Sequence, residues 1–132
     1  MTFDDIDLTG ITAAPSFESP PSGSYIVLVS MAQKLIAEKR AIEIGMELVE
    51  TIEVGTQHTE KPADPGQKFS SLSFIHTPDS VTYMMRDLRA FFEATGATSV
   101  NAMVAAVQNL RCKVVVSYDK NDYIRCAFEV IG

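Results

Sequence analysis

The feature that most constrains the fold of this chain is a long alternation of apolar and polar residues over positions 42–54. A period of two sustained over that length predicts one long β-strand with one buried face and one solvated face. Glu50 stands where the alternation requires an apolar residue. It predicts a β-bulge, because a bulge inserts one extra residue and bends the strand. The apolar parity comprises Ile42, Ile44, Met46, Leu48, Ile52 and Val54, and the polar parity includes Glu43, Glu47 and Glu53.

Four further strands are predicted around this one. Residues 25–31 are β-branched and apolar, which is typical of a strand covered on both faces. The polar connector that follows is compatible with a short helical turn over residues 32–37. Residues 55–66 contain Pro62 and Pro65 and predict an extended hairpin loop. The remaining strands are predicted at residues 69–75, 112–118 and 123–131.

A helix is predicted between the third and fourth strands. Thr77 is its expected N-cap, Pro78 its first helical position and Gly96 its left-handed C-terminal cap. Its apolar stripe at helical spacing consists of Val81, Met84, Met85, Leu88, Phe91 and Phe92. A second short helix is predicted over residues 99–110.

The order strand, strand, strand, helix, strand, strand predicts a mainly β fold with an α insertion. This is the order of a five-stranded OB-fold-like barrel with a helix or helix pair between strands 3 and 4. The domain is predicted to occupy residues 23–132. Residues 1–22 contain Gly10 and three prolines and show no sustained period, so they are predicted to form a flexible acidic N-terminal arm.

The last hairpin predicts a register for the two cysteines. The apolar parities of strands 4 and 5 share a face only if the loop has an odd number of residues, which residues 120–122 provide. Val116 then lies opposite Cys126, and Cys112 lies opposite Val130. The two sulfurs are therefore too far apart for a disulfide bond, and both thiols are expected to be reduced.

Charge and hydropathy narrow the class of protein. The chain of 132 residues has a formal net charge of −6, which argues against a general duplex-DNA or membrane-surface binder. Residues 1–22 hold four acidic residues and no Lys or Arg, so the remainder is nearly neutral. No apolar run approaches the ~20 residues of a membrane helix, and the N-terminus is acidic where a secretory signal is basic. A cytoplasmic location without membrane contact is expected.

Three stretches of the sequence resemble phage-encoded single-stranded DNA-binding proteins with an OB-fold. They are Pro21-x-Gly23-x-Tyr25 before the first strand, the helix end at residues 88–96, and Leu110-x-Cys112-Lys113-Val114-Val115-Val116 before the last hairpin. Cys112 departs from the pattern, since the family usually carries Gly there. The resemblance implies a non-catalytic protein of DNA replication and recombination in the host cytoplasm. Its ligand would be single-stranded DNA, with RNA as an alternative. A homo-oligomer would be compatible with this role, and the protein would need no cofactor.

Binding to a single strand requires cations along a groove and aromatic faces on which bases can stack. The expected nucleic-acid-binding residues lie in the loops after strands 1 and 4, at the start of strand 3 and on the outer face of the last hairpin. They are Lys34, Lys39, Arg40, Lys68, Phe69, Lys113, Lys120, Tyr123 and Arg125. Solvated surface charges and an edge tyrosine are an equally good interpretation of the cations and Tyr123. For Phe69 and Phe74, core packing is favoured over a role as stacking platforms.

A second function remains open, namely a protein-binding OB module such as a virion component or a host-directed inhibitor. The acidic parity of the second strand, with Glu43, Glu47 and Glu53, would repel phosphates but would suit a basic protein partner. Catalysis is not expected. The two histidines, His58 and His76, lack the spacing of metal ligands, and both cysteines fall on the inward parity.

Overall fold

The computed structural model describes residues 18–35 and 40–131. Five antiparallel strands form one sheet in the order β3-β2-β1-β4-β5. The strands are β1 (Gly23–Leu35), β2 (Ala41–Val54), β3 (Lys68–Phe74), β4 (Arg111–Tyr118) and β5 (Ile124–Val130). The mainly β class and the predicted sequence of elements are therefore confirmed.

Three short helices connect β3 to β4, namely α1 (Pro78–Asp87), α2 (Arg89–Thr95) and α3 (Val100–Ala106). Thr77 caps α1 through a reciprocal capping box, in which its hydroxyl accepts the N–H of Ser80 and the Ser80 hydroxyl accepts the N–H of Thr77. Gly96 ends α2 in the left-handed conformation with φ of 68°. Both predicted caps are confirmed. No helix in the described residues is long and apolar enough to cross a membrane.

The single helix predicted up to Gly96 is divided at Leu88. The N–H of Phe91 bonds to the carbonyl of Leu88 only three residues back, so the regular α-helical path is interrupted there. Leu88 and Phe91 are fully buried, whereas Val81 and Met85 of the predicted stripe are 38% and 46% exposed. Only one edge of the predicted stripe therefore faces the core.

The predicted closed barrel is not formed. β3 and β5 are the two edges of the sheet, and no strand pairing joins them in the part of the chain that the structure describes. Closure of a barrel requires such a ladder of hydrogen bonds. Helix α1 contacts both β3 and β5, so it lies beside the opening between the two edges.

The strand β1 is longer than predicted. Residues 32–35 continue the strand where a helical turn was compatible with the sequence, and Ala32 pairs with Ile44 of β2. Ala32 is 7% exposed, so its burial against the sheet outweighs the local preference of a polar connector. Residues 36 and 37 of the expected turn lie outside the described residues.

Two bulges in β2 change which of its residues face the core. The pairing with β1 skips Val49 and Ile52, which flank the predicted bulge at Glu50. Beyond the first bulge Glu50 lies opposite Ile26, and its side chain is exposed. Ile52 is 51% exposed as a bulged residue, and Val54 is 47% exposed at the strand end. Their prediction as core residues is wrong for two different reasons. The first bulge moves the inward side of β2 to Thr51, opposite the buried Tyr25, and Ile52 is the extra residue of the second bulge. The second bulge restores the original alternation, so Val54 is exposed because it lies at the end of the strand, opposite Gly23.

Residues 18–22 belong to the packed part of the chain, although the sequence predicts them within the flexible arm. The hydroxyl of Tyr25 donates to the carbonyl of Pro21 at 2.7 Å. The hydroxyl of Tyr118 donates to the carbonyl of Pro20 at 2.6 Å. Both prolines are buried. The earlier part of the predicted arm lies outside the described residues.

The core joins the inner face of the sheet to the helices. Its fully buried members come from four strands and the three helices and include Val27, Ile44, Phe69, Leu88, Phe91, Met103 and Val114. The predicted hairpin register is confirmed, since Val116 pairs with Cys126 and Cys112 pairs with Val130. Both cysteines are free, as the register predicts.

Candidate nucleic-acid interface

A groove lies between the two open edges of the sheet, beside α1. It consists of two adjoining cavities of about 500 Å³ and about 440 Å³, which share Leu72, Phe74 and Arg125. The first cavity extends toward α1 and the second toward the turn between β4 and β5. We call it the seam groove and define it by Leu72, Phe74, Tyr83, Arg86, Tyr123 and Arg125.

The β3 wall of the seam groove is apolar. Phe69 pairs with Met46 of β2 and is 2% exposed. Side chains alternate along a strand, so Leu72 and Phe74 lie on the opposite face from Phe69, where they are 45% and 40% exposed. Phe69 therefore belongs to the core and presents no ring to a base, which corrects its assignment as a binding residue. Phe74 is the exposed ring of this strand.

The α1 wall contributes an aromatic ring and a cation. Tyr83 is 58% exposed, and the Arg86 guanidinium lies 5.2 Å from the centre of its ring. This separation is within the range of a cation–π contact. The Nε of Arg86 also donates to Oδ1 of Asp87 at 3.0 Å. The helix thus presents a ring and a guanidinium that are already oriented toward each other.

The β5 wall is organised by the turn that precedes it. Asp119 accepts the N–H groups of Asn121 and Tyr123 through Oδ1, at 2.9 and 3.0 Å. Its Oδ2 accepts Nε and Nη2 of Arg125 at 3.1 and 2.9 Å. The N–H of Tyr123 is the main reason that the pKa of Asp119 lies below its ordinary value, and Arg125 adds to the effect. Tyr123 is left 66% exposed at the mouth of the groove.

The loop after β2 holds this turn in place. The side-chain amide of Gln57 donates to the carbonyl of Tyr118 at 2.9 Å and accepts the N–H of Tyr118 at 3.1 Å. The ring of His58 lies edge-on to that of Tyr118 and hydrogen-bonds to Asp122. These contacts place the ring of His58 beside the turn.

The structure brings only some of the predicted cations to the seam groove. Arg125 lines it, and Lys120 is exposed in the turn between Asp119 and Tyr123. Arg40 lies beside the Phe74 end of β3, because its carbonyl accepts the N–H of Ile75, the residue after Phe74, at 2.9 Å. The side chain of Arg40 is exposed.

The other predicted cations lie elsewhere. Lys34 is exposed near the end of β1, and Lys68 is half-buried opposite Glu47. Lys113 is half-buried on the outer face of β4, where it pairs with Glu129. Lys39 lies outside the described residues. The predicted cations therefore do not all lie in the seam groove.

Three groove residues were missed by sequence reasoning, namely Leu72, Tyr83 and Arg86. Tyr83 lies off the apolar stripe of the helix, and an exposed tyrosine followed three residues later by arginine was the available signal. Leu72 shares a parity with Phe74, and nothing in β3 alone indicates which of its two faces is buried.

The thiol of Cys126 lies in the wall of the groove but is poorly suited to act as a nucleophile. Burial, with a smaller contribution from the negative charge of Asp87, raises the pKa of Cys126 to about 12. Burial alone raises the pKa of Cys112 to about 11. Thiolates are the reactive form of cysteine, so both thiols stay protonated and unreactive near neutral pH.

We expect these thiols to make the protein less stable at alkaline pH. The folded chain holds their protons more tightly than the unfolded chain, so the contribution to stability is complete below the ordinary pKa of 9.0 and is lost as pH rises toward about 11 for Cys112 and about 12 for Cys126. Urea unfolding from below pH 9 to pH 11 should show a smaller decline for Cys112→Ala than for the unchanged chain. An equal decline in both proteins would contradict this assignment.

No protein-family model matches the chain, and a comparison with curated proteins finds no match either.

Proposed function

We propose that this chain binds single-stranded DNA in the seam groove, as a non-catalytic protein with an opened OB-like fold. The observation that carries the proposal is that three exposed rings and two guanidinium groups converge on one groove. The rings are those of Phe74, Tyr83 and Tyr123, and the cations are Arg86 and Arg125. Each base stacked on an aromatic side chain contributes about 1–3 kcal/mol, and guanidinium groups pair with the phosphates between bases.

The strand order supports the same proposal. Pairing β3 with β5 would convert the observed order into that of a closed OB barrel, in which nucleic acid is bound across strands 2 and 3 and between the loops after strands 1 and 4. The seam groove lies along β3 and reaches the turn after β4. Lys120 and Arg40 lie near its two ends, where a bound strand would enter and leave.

The charges of the groove predict moderate affinity. Arg86 and Arg125 are each paired with an aspartate, at 3.0 and 2.9 Å, so a phosphate has to compete with a carboxylate for each guanidinium. Both pairs are solvent-exposed, and exposed pairs contribute only about 0–1 kcal/mol each. Competition by phosphate is therefore feasible, and stacking supplies most of the binding free energy.

A titration of labelled oligo-dT by fluorescence anisotropy tests the function. We expect the single strand to bind more tightly than a duplex of the same length. If two to four phosphates are neutralised, the logarithm of affinity should fall with the logarithm of salt with a slope of about −1.4 to −2.8. Absence of binding at micromolar protein, or binding that is insensitive to salt, would contradict the proposal. Parallel titration with oligo-U tests RNA as the alternative ligand.

The proposed biological setting is a phage-type system of DNA replication and recombination in the host cytoplasm. It is supported by the resemblance of the three stretches at residues 21–25, 88–96 and 110–116 described above. A protein that coats exposed single strands in such a system needs no catalytic group and no cofactor. Homo-oligomer formation along a strand is part of the same proposal, and a Hill analysis of the titration measures it.

A second candidate function is binding of a protein partner through the bent end of β2. Ile52 and Val54 are exposed there beside Glu50 and Glu53. Exposed apolar side chains rimmed by charge are typical of protein-binding surfaces. The substitutions Ile52→Ser and Val54→Ser should abolish such binding and leave the affinity for oligo-dT unchanged.

The rest of the acidic parity of β2 is less available to a partner than the sequence suggests. Glu43 accepts hydrogen bonds from Gln33 at 2.8 Å and Ser70 at 3.2 Å. Glu47 lies opposite Lys68 of β3. The acidic surface that suits a basic partner is therefore confined to the end of the strand.

A further inference from the structure

We propose that residues 3–11 of the same chain dock in the seam groove when no other ligand occupies it. The apolar side chains of this segment would pack on the β3 wall, and its carboxylates would approach the guanidinium groups of Arg86 and Arg125. This inference goes beyond the proposed function, because it concerns an occupant supplied by the protein itself and can be tested without nucleic acid.

The groove has exposed apolar side chains on more than one of its walls. Leu72, Phe74 and Tyr123 are 40–66% exposed on its walls. Val115 of β4 is 45% exposed and lines the cavity next to α1. These side chains offer an apolar surface on which the apolar side chains of a docked segment can pack.

The described part of the chain begins beside one end of this groove. The carbonyl of Glu18 accepts a hydrogen bond from the buried Gln67 at 2.6 Å, and Pro20 is held by the hydroxyl of Tyr118. The residue after Tyr118 is Asp119, which lines the groove. The N-terminal segment therefore joins the described chain next to the residue that precedes the turn lining the groove.

The length of the segment is sufficient to span the groove. Ten extended residues cover about 33 Å, whereas the seven residues of β5 extend over roughly 24 Å. Residues 3–11 can thus lie along the whole seam, with residues 12–17 as the link to the described part of the chain. A tether of this kind gives an effective concentration on the order of millimolar, so even weak contacts keep the groove occupied.

The composition of the segment matches the walls of the groove. Between positions 3 and 11 it has four apolar residues and three aspartates, and it has no Lys or Arg. The members are Phe3, Asp4, Asp5, Ile6, Asp7, Leu8 and Ile11. Within the described residues, Arg125 donates two hydrogen bonds, and both are accepted by Oδ2 of Asp119. Since a guanidinium has five N–H donors, further donors can bind a second carboxylate.

A tryptophan reporter in the full-length chain tests the docking directly. The natural sequence has no tryptophan, so Tyr123→Trp introduces a single fluorophore at the groove mouth. The same substitution is then combined with Phe3→Ser, Ile6→Ser and Leu8→Ser. We expect the triple change to shift the emission of the Trp at position 123 to longer wavelength and to increase its quenching by iodide. A synthetic peptide of residues 1–17 should reverse both effects in a saturable manner.

A control reporter distinguishes docking from a general change in folding. Ile131→Trp places the fluorophore at the opposite end of β5, where residue 131 is 46% exposed. Its emission should not respond to the triple change or to the peptide. A response of equal size at both positions would overturn the proposal, as would no response at position 123. Emission that depends on protein concentration would also overturn it, in favour of docking between two copies.

The outcomes for docking and for DNA binding are independent. If the peptide restores the emission but oligo-dT does not bind, the docking proposal stands and the proposed function fails. If oligo-dT binds but the peptide has no effect, the docking proposal fails alone. If both hold, the triple change should also strengthen oligo-dT binding, because it removes a competitor from the groove.

Discussion

Replacement of Tyr123 or Phe74 by alanine is expected to weaken the binding of oligo-dT by roughly 5- to 150-fold for each residue. This range corresponds to the loss of one base stack of about 1–3 kcal/mol, at a factor of ten per ~1.4 kcal/mol. Both rings are exposed, 66% for Tyr123 and 40% for Phe74, so neither change should unfold the protein. Anisotropy titration measures the affinity, and urea unfolding verifies the fold of each variant.

A matched pair of arginine substitutions separates a local effect from a change in net charge. Arg125→Ala removes a guanidinium of the seam groove that is paired with Asp119 at 2.9 Å. Arg89→Ala removes one that is paired with Glu93 at 2.7 Å and does not line the groove. Only Arg125→Ala should weaken binding and reduce the salt slope, by about 0.7 for the loss of one phosphate contact. Equal losses in both variants would show that binding is not located in the groove.

The second large effect concerns two adjacent methionines of α1. Met84→Ala should lower the free energy of unfolding by about 2–5 kcal/mol, because Met84 is 2% exposed in the core and its removal leaves a cavity. Met85→Ala should change it by no more than about 0.5 kcal/mol, because Met85 is 46% exposed. A typical domain has only about 5–15 kcal/mol of stability, so the first change alone removes a large part of it.

Urea denaturation of the two variants and the unchanged chain checks this prediction. The two substitutions have the same chemistry and occupy neighbouring positions in one helix, so each is the control for the other. The stripe predicted from the sequence contains both residues and assigns them equal burial. Similar losses of stability in the two variants would therefore favour that stripe over the observed packing of α1.

The features that sequence reasoning predicted correctly are those that short-range interactions determine. The cap at Thr77 depends on a side chain three residues away, and the cap at Gly96 depends on one backbone angle. The register of the last hairpin follows from the length of its loop, and it brings Val116 opposite Cys126 as predicted. The positions of the five strands along the chain follow in the same way from local periodicity.

Tertiary contacts decided the features that the sequence left open or predicted incorrectly. Phe69 and Phe74 are five residues apart, so a strand must place them on opposite faces. Which one is buried depends on how β3 pairs with β2, and the pair formed by Met46 and Phe69 settles it. In β2 the bulges that expose Ile52 exist only through the pairing with β1.

The sequence by itself determined that five strands and an inserted helical segment form one mainly β domain, together with the helix caps at Thr77 and Gly96 and the spacing of its cysteines. Only the tertiary structure decided that the sheet stays open between β3 and β5 and that α1 lies beside the opening. The physical reason is that periodicity and capping act over a few residues. The edges of a sheet, by contrast, are brought together or held apart by elements distant in the chain. The candidate site lies between those edges, which is why Tyr83 and Arg86 could not be joined to Tyr123 and Arg125 from the sequence alone.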